Sequence, residues 1–389
     1  MADKTKCIYD QKAGEGFAVM DTARIKEGNP YLSIVIPSRN DNYGGDLLRR
    51  MELSLRGLFE QLEKYRLESE LILVDWNPPA EMPLLKDVLK WPCGLSYCSV
   101  RVIVVSHSIH QRYKGSDRIP INIVAATNCG IRRSRGQFIL PRPIDLLYSD
   151  ELISYIASRK LEEGQRYRVD RCDVERNVVN QETISAQLDY CSKNIIITHS
   201  KTPQPKVTRW RNWLKGPVLP NLHTMAAGDF QLMSRYYWHL LRGYPETDIS
   251  GSYSDGLISY ASYAAGAQEI ILDSPIRVFH IDHDYKFAEK IKRQALPFEN
   301  RLFIPLLPEW FNRKIIGLYQ RLLMLFGYKM KSTVRGVATL DFSEYYKMCR
   351  EIISGKRSYI FNDENWGLGN EPLEEFIIST ADWDKEHKT

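Results

Sequence analysis

The sequence predicts an α/β protein whose sheet is buried on both faces by helices. Short, predominantly apolar runs alternate with segments in which apolar residues recur at helical spacing. Runs rich in Val, Ile and Leu are typical of strands covered on both sides. Strands that alternate with helices indicate βαβ units. The predicted strands lie at 32–37, 71–74, 100–105 and 137–140, and the predicted helices at 47–67, 121–134 and 150–161.

Polar segments mark the points where the predicted strands end. Pro37 stops the first strand, and a polar loop with two glycines follows it. Asp75 ends the second strand before the turn residues 77–79. In open α/β sheets the ligand binds beyond the carboxyl ends of the strands. The predicted binding crevice therefore lies at residues 37–41, 75–77, 106–111 and 142–145.

Composition and charge limit the classes of function. The chain has 389 residues, of which 43% are hydrophobic and 26% charged, which is enough for one large core or two domains. A formal net charge of +5 suits anionic substrates such as nucleoside diphosphates. It is too small, and too evenly spread along the chain, to indicate a nucleic-acid partner.

The seven cysteines form no CxxC pair and have scattered spacing, so we expect neither a disulfide framework nor a zinc site. The polar N-terminus has no apolar signal segment. No apolar run approaches the length of a membrane span. Together these features predict a reducing, cytoplasmic location.

Two motifs of nucleotide sites and one motif of hydrolases are missing. The first strand is not followed by GxGxxG, and the chain contains neither GxxxxGK[ST] nor GxSxG. A dinucleotide-binding site, a P-loop and a hydrolase elbow are therefore not expected. What remains is an α/β sheet with acidic residues at its strand ends, a pattern that suits a metal-bound nucleotide-sugar.

Seven segments then occur in the order found in one enzyme family. They are Ile34-Val35-Ile36-Pro37-Ser38-Arg39-Asn40, Leu73-Val74-Asp75-Trp76-Asn77-Pro78, the stretch 126–140, Pro143-Ile144-Asp145, the stretch 227–235 followed by 241–246, Ser254-Asp255-Gly256-Leu257-Ile258-Ser259 with Gly266 beyond it, and Val278-Phe279-His280-Ile281-Asp282-His283. Between residues 31 and 283 the chain resembles the inverting glycosyltransferases of the family 2 type. The resemblance implies a GT-A fold, which is a Rossmann-like mixed sheet flanked by helices, here with a helical C-terminal extension.

The resemblance also implies which residues bind the nucleotide-sugar. The end of the first strand would hold the base and ribose, and the acidic residue that ends the second strand would recognise the base. A carboxylate accepts hydrogen bonds from the imide N–H of uracil or thymine or from guanine donors, so UDP, GDP and dTDP all stay open. The implied set is Pro37, Arg39, Asp41, Asp75, Asn128, Arg132, Asp145 and Asp229.

Asp145 stands where the last acidic residue of the family's D-x-D motif belongs, which implies a ligand to Mn²⁺ or Mg²⁺. Pro143 replaces the first acidic residue of that motif. His280 is the implied further ligand. If the last strand stays extended through residue 283, His280 and His283 point to opposite faces, so at most one of them reaches the site.

Asp255 is the implied catalytic base, at the start of a helix. Ser254 replaces the glutamate that usually precedes it in the family, and Glu246 and Asp248 are the fallback bases. The predicted reaction moves a sugar from a nucleoside diphosphate to a glycan or lipid-linked acceptor. Two alternatives stay open: a catalytically inactive GT-A scaffold that binds glycans or partners, and a sugar-nucleotide nucleotidyltransferase.

The predicted division is an N-terminal lead-in over 1–30, a catalytic domain over 31–300 and a helical extension over 301–389. Residues 310–331 combine apolar and aromatic side chains with five basic residues. This segment either lies on an anionic membrane surface or packs on the catalytic domain. Residues 365–368 either close over the donor site or anchor the tail through a buried tryptophan.

Overall fold

A computed structural model describes residues 29–92, 94–201, 219–283 and 332–378, together with 292–293, 308, 311, 315, 318–319 and 322–323. Most of the lead-in and most of the predicted amphipathic helix at 310–331 lie outside the described residues. The same holds for the predicted boundary at 300. Within the described part of the chain, no helix is both long and apolar enough to cross a membrane.

The secondary structure alternates between strands and helices, as predicted. The strands are β1 (Leu32–Ser38), β2 (Ser69–Trp76), β3 (Cys98–Val105), β4 (Phe138–Pro141), β5 (Leu146–Tyr148), β6 (Gln165–Val174), β7 (Ile195–His199), β8 (Leu232–Ser234), β9 (Gln268–Ile281), β10 (Lys292–Arg293), β11 (Ser332–Val334), β12 (Val337–Thr339) and β13 (Glu374–Ile378). The helices are α1 (Leu47–Lys64), α2 (Leu85–Val88), α3 (His107–His110), α4 (Ile123–Arg133), α5 (Asp150–Ala157), α6 (Ile184–Lys193), α7 (Arg235–Leu240), α8 (Ser254–Ala264) and α9 (Phe342–Ile353).

Ten strands form one mixed sheet in the order β13-β3-β2-β1-β4-β8-β6-β9-β5, with β7 paired to β6. The four strands β3, β2, β1 and β4 are parallel, as the sequence predicts. Strand β8 runs antiparallel to both β4 and β6, and β6 is parallel to β9. The predicted fold class, a mixed α/β sheet with flanking helices, is confirmed.

The side chains of β1 show why this sheet is buried on both faces. Ile34 and Ile36 join the core that α1 and α5 cover. Val35, between them in the chain, joins the core that α4 and α7 cover. Alternation along a strand sends neighbours to opposite faces, so a run that is apolar throughout requires two hydrophobic layers.

The C-terminal region belongs to the same body and contains strands as well as helices. β13 pairs antiparallel with β3 and extends the sheet at that edge. Helix α9 packs on α8 through a small core of its own that includes Leu257, Tyr345 and Cys349. Strands β11 and β12 form a hairpin. The tail therefore completes the fold around the strand ends where the site lies.

Candidate active site

A cleft of about 550 Å³ opens at the carboxyl ends of β1, β2 and β3. This is the edge of the sheet at which the sequence predicts a ligand. The charged residues of its lining are basic on balance: Arg39, Arg118 and Arg335 against Glu81 and Asp117. An excess of cationic side chains in a cleft of this size favours an anionic ligand.

Arg39 holds two of the loops that form the cleft. Its Nε donates to the carbonyl of Asn77 at 2.7 Å, and its Nη1 donates to Asp41 at 2.9 Å. The loops after β1 and β2 are thereby joined across the strand ends. Pro37 lies within β1, buried and opposite Val74, and is not part of the cleft lining.

Asp75 is fully buried beneath the segment that follows β2. Its Oδ2 accepts a hydrogen bond from the backbone N–H of Leu85 at 2.8 Å, whereas its Oδ1 is buried without a hydrogen-bond partner. Burial raises the pKa of Asp75 to about 6, against the opposing effects of the Leu85 N–H and Arg39. A buried carboxylate oxygen without a donor is uncommon and marks a candidate recognition group.

A second group of polar residues gathers around Asp145, which lies between β4 and β5 and directly precedes β5. His280 Nε2 lies 3.5 Å from Asp145 Oδ1, and His283 Nε2 lies 3.6 Å from Asp145 Oδ2. Arg50, from α1, forms an ion pair with the same Oδ2. Asp145, His280 and His283 are all buried, and each offers one ligand atom within 4.8 Å of the others.

This trio is suited to a divalent cation. Carboxylate oxygen and imidazole nitrogen are common ligands of such ions, at about 2.0–2.2 Å for zinc. Ligand atoms at that distance from one ion lie about 3 Å or more from one another. The ligand atoms of this trio would therefore need to move only slightly closer together to bind one ion. Neither ring nitrogen of His280 makes a hydrogen bond of ordinary geometry, and the two face carboxylate oxygens of Asp145 and Asp229 at 3.5 and 3.3 Å.

His283 joins the site because β9 ends before this residue. The prediction that at most one of the two histidines reaches the site assumed an extended chain through residue 283. In the structure β9 ends at Ile281, and the chain leaves the pleat before His283. The imidazoles then lie 5.5 Å apart between centroids, and both approach Asp145. That expectation was wrong because the alternation of faces holds only within a strand.

In this cluster, each charged group shifts the pKa of its oppositely charged neighbour toward the charged form. Burial alone would raise the pKa of Asp145, but His280, Arg50 and His283 outweigh it and hold that pKa at about 2. Burial alone would lower the pKa of His280, but Asp145 and Asp229 outweigh it and raise that pKa to about 10. Without a metal ion, His280 is therefore protonated at neutral pH.

Asp229 links this cluster to β6 and β7. Its Oδ2 lies 3.3 Å from His280 Nδ1 and 2.8 Å from Arg171 Nη1. Arg171 is paired in turn with Asp173, which lies 3.0 Å from His199 Nε2. The sequence identified Asp229 and His280 but missed Arg171 and Asp173.

Asp255 opens helix α8 beside the same turn. Its Oδ1 accepts from the N–H of Gly256 at 2.8 Å, and its Oδ2 accepts from the N–H of Gly228 at 3.1 Å. Burial raises the pKa of Asp255, although these two N–H groups and Arg168 oppose the shift. Since Gly228 precedes Asp229, the candidate base and the candidate metal ligands belong to one continuous set of contacts.

Arg168 holds the turn that makes this connection. Its buried guanidinium donates to the carbonyls of His223, Met225 and Ala227 at 3.0–3.3 Å. A signal for Arg168 existed in the sequence, because arginines alternate with Tyr167 and Val169 in an otherwise strand-like run. Such alternation places charged side chains on one face of a strand.

Two predicted nucleotide-binding residues are engaged elsewhere. Asn128 is buried and donates to the Tyr244 carbonyl and to Glu246, both at 2.8 Å, while its own oxygen accepts from the Tyr244 N–H. Arg132 donates to the carbonyls of Glu364 and Trp366. The structure thus brings Asp145, Asp229, Asp255 and His280 together, but turns Asn128 and Arg132 toward other parts of the chain.

The fallback bases and the C-terminal tryptophan also have structural contacts. Glu246 accepts from Asn128, and Asp248 accepts from Ser250 and from the N–H of Leu340. Trp366 is buried in the core on the α4 side of the sheet, 5.3 Å from His239 between ring centroids. Of the two interpretations of residues 365–368, the anchored tail agrees with this packing.

Comparison of sequences finds no protein family and no curated protein that matches this chain. A search of solved structures finds distant matches. Residues 1–349 of S. aureus TarS match at 13% identity, with a TM-score of 0.36 over 73% of this chain and 69% of that one. The same fragment in complex with UDP-GlcNAc matches at 13% identity, with a TM-score of 0.39 over 76% and 73%.

A longer S. aureus TarS chain matches at 14% identity, with a TM-score of 0.37 over 77% of this chain and 44% of that one. Scores at this level describe a distant likeness. They transfer neither a ligand nor an activity from TarS to this protein.

Proposed function

We propose that this protein is a GT-A-type glycosyltransferase that moves a sugar from a nucleoside diphosphate donor to a hydroxyl of a glycan or lipid-linked acceptor, with inversion. The observation that carries the proposal is the continuous set of contacts from Asp145 through His280 and Asp229 to Asp255. One end of this set is suited to the leaving diphosphate and the other to the attacking hydroxyl. A basic cleft at neighbouring strand ends supplies room for a nucleoside.

In this proposal the nucleoside occupies the cleft near Arg39 and Asp75. Arg39 fixes the loops on which the base and ribose would lie. The orphaned Oδ1 of Asp75 would accept a base N–H once the covering segment yields. Pairing that oxygen removes the cost of leaving it unsatisfied, so binding of a base with a suitably placed N–H is favoured over one without it.

Asp255 is the proposed base. Its raised pKa makes the carboxylate a better proton acceptor, and the N–H groups of Gly228 and Gly256 fix its two oxygens. Asp255 takes the proton of the acceptor hydroxyl while that oxygen bonds to the anomeric carbon. The bond from this carbon to the diphosphate breaks on the opposite face, and the nucleoside diphosphate leaves with the bonding electrons. The stereochemistry is therefore inverted.

Asp145, His280 and His283 are the proposed ligands of a divalent cation. When bound, the cation would neutralise the charge on the leaving diphosphate. Two imidazoles in a set of three favour Mn²⁺ over Mg²⁺, because Mg²⁺ prefers oxygen ligands throughout. The protonated state of His280 means that such an ion must displace a proton.

A thermal-shift panel tests this proposal. UDP, GDP, dTDP and CDP are each added with and without Mn²⁺, because a ligand that binds only the folded state raises the melting temperature. We expect one diphosphate to stabilise the protein, and Asp145→Ala to abolish the part that depends on metal. Asp189→Ala, which removes an exposed carboxylate on α6, is the matched control. If no nucleotide shifts the curve, the inactive-scaffold alternative is favoured.

A further inference from the structure

Arg50 occupies an unusual place in the candidate metal site. Its side chain, on α1, is completely buried and forms an ion pair with Asp145 Oδ2. That oxygen also lies 3.6 Å from His283 Nε2, so it faces the space in which a cation would be shared by Asp145 and His283. The carboxylate of the trio is thus already neutralised by a cation that belongs to the protein.

The guanidinium is fixed in that position. Its Nη2 donates to the carbonyl of Tyr43 at 2.5 Å, and its Nε donates to the carbonyl of Gly45 at 3.2 Å. An arginine does not lose its proton in proteins, so it keeps its charge when another cation arrives. A divalent ion at the trio must therefore displace Arg50 from Asp145 or bind against its positive charge.

The loop that Arg50 holds also contacts the site. Gly44 adopts a φ of +70°, and a Cβ there would lie 2.8 Å from Arg50 Nη2 and 2.9 Å from His283 Nδ1. Asn42 and Asp46 also have positive φ. This loop, residues 42–46, therefore keeps its shape while Arg50 and His283 stay in their present positions.

We propose that Arg50 is a built-in competitor of the divalent cation: it keeps the cation affinity of the trio low and couples occupancy of the site to the loop at 42–46. The proposal rests on the metal site of the proposed function. A cation held by the Asp145 carboxylate would displace Arg50 from it, and the loop would then lose the contacts that fix it. A bound donor diphosphate would then be a partner for the released guanidinium, since arginine binds phosphate oxygens well.

The test is Mn²⁺ binding to the full-length protein, measured by calorimetry without nucleotide. Arg50→Met removes the charge and retains much of the buried volume. We expect it to bind Mn²⁺ about tenfold or more tightly than the natural protein, since a repelling unit charge has been removed from the site. Arg49→Met removes the same charge from the exposed neighbour that bonds Asn180, and its affinity should not change.

Arg50→Gln and two double variants separate the outcomes. Arg50→Gln is neutral and can still donate to the loop carbonyls, so it carries the test if Arg50→Met does not fold. Adding His280→Ala to either variant should abolish the gain. If the natural protein binds Mn²⁺ and the folded Arg50 variants bind it equally or more weakly, the competitor role of Arg50 is overturned and the metal site is not.

If neither the natural protein nor an Arg50 variant binds Mn²⁺, both the competitor and the metal site are overturned. Nucleotide binding in the metal-free thermal shifts would still distinguish that result from failure of the glycosyltransferase proposal.

Discussion

At the scale of single residues, the structure separates groups that a sequence pattern treats alike. Asp75 is one of the last two residues of β2, Asp145 lies in the turn after β4, and both are buried. Asp145 is surrounded by cationic groups that lower its pKa, whereas Asp75 has one backbone donor and an orphaned oxygen that burial makes costly. The positions of both carboxylates followed from the strand ends, but their opposite pKa shifts depend on partners from distant segments.

The raised pKa of Asp75 predicts a stability effect. Its folded-state pKa of about 6 exceeds the unfolded value, so the folded state is destabilised as pH rises from about 4 to about 6. Asp75→Asn removes this penalty while its amide oxygen can still accept from Leu85. We expect the variant to be more stable than the natural protein by about 2–3 kcal/mol at pH 7, and nearly equal at pH 4.

Urea denaturation at the two pH values measures this difference. Asp189→Asn, which changes an exposed carboxylate on α6, is the control and should have little effect at either pH. A loss of stability in Asp75→Asn at pH 7 would contradict the account of the orphaned oxygen.

Asp255 gives a prediction about activity. Asp255→Asn keeps the size of the side chain and removes the proton acceptor, so we expect transfer to fall by a factor of about 10²–10⁴. Binding of the donor diphosphate should be unchanged, because Asp255 contacts the acceptor in this proposal. Initial rates with the donor class found by thermal shift, together with a nucleotide Kd, check both parts. A variant with near-normal turnover would assign the base elsewhere.

At the scale of elements, a turn held by a buried arginine positions the site. The segment 223–229 carries both Asp229 and the Gly228 N–H that Asp255 accepts from. Arg168, on β6, fixes this segment through three backbone carbonyls. Arg50 shows the same pattern in a helix, because it stands three residues after buried Leu47 and four before buried Ser54. In the sequence, Arg50 falls at the helical spacing of buried residues, whereas Arg168 alternates with Tyr167 and Val169 along a strand.

Arg168→Lys tests the positioning role of that arginine. Lysine retains the charge, but it cannot reach three carbonyls from one planar group. We expect a loss of about 2–4 kcal/mol in unfolding free energy, since hydrogen bonds from charged groups contribute about 1.5–3 kcal/mol each and some will remain. We also expect the acidic limb of the pH–rate profile to shift, because Arg168 opposes the raised pKa of Asp255.

The direction of that shift follows from the charge. If lysine holds its charge farther from Asp255, the pKa of Asp255 rises and the acidic limb moves to higher pH. Arg166→Lys is the comparison, because Arg166 is equally buried but bonds Glu269 and Ser259 instead of the turn. An unchanged pH profile in Arg168→Lys, with only stability lost, would reduce Arg168 to a structural role.

At the scale of the whole molecule, local patterns predicted the sheet and remote contacts determined the site. Continuous apolar runs identified the four parallel strands, because burial on both faces is recorded in each run by itself. The edge pairing of β13 with β3 joins residues more than 250 positions apart, and no local pattern encodes it. The same reason explains why Asp145, Asp229, Asp255 and His280 were identified singly, while their partners Arg50, Arg171 and His283 required the fold.

In the proposed function, the cluster around Asp145 binds the diphosphate of a sugar donor through a divalent cation. The most direct measurement is release of nucleoside diphosphate from UDP-, GDP- and dTDP-sugars, with Mn²⁺ and without acceptor. We predict slow hydrolysis of one donor class by the natural protein, and its loss in Asp145→Asn. If the folded protein releases no diphosphate from any of these donors, or releases it equally fast in Asp145→Asn, the glycosyltransferase proposal is contradicted.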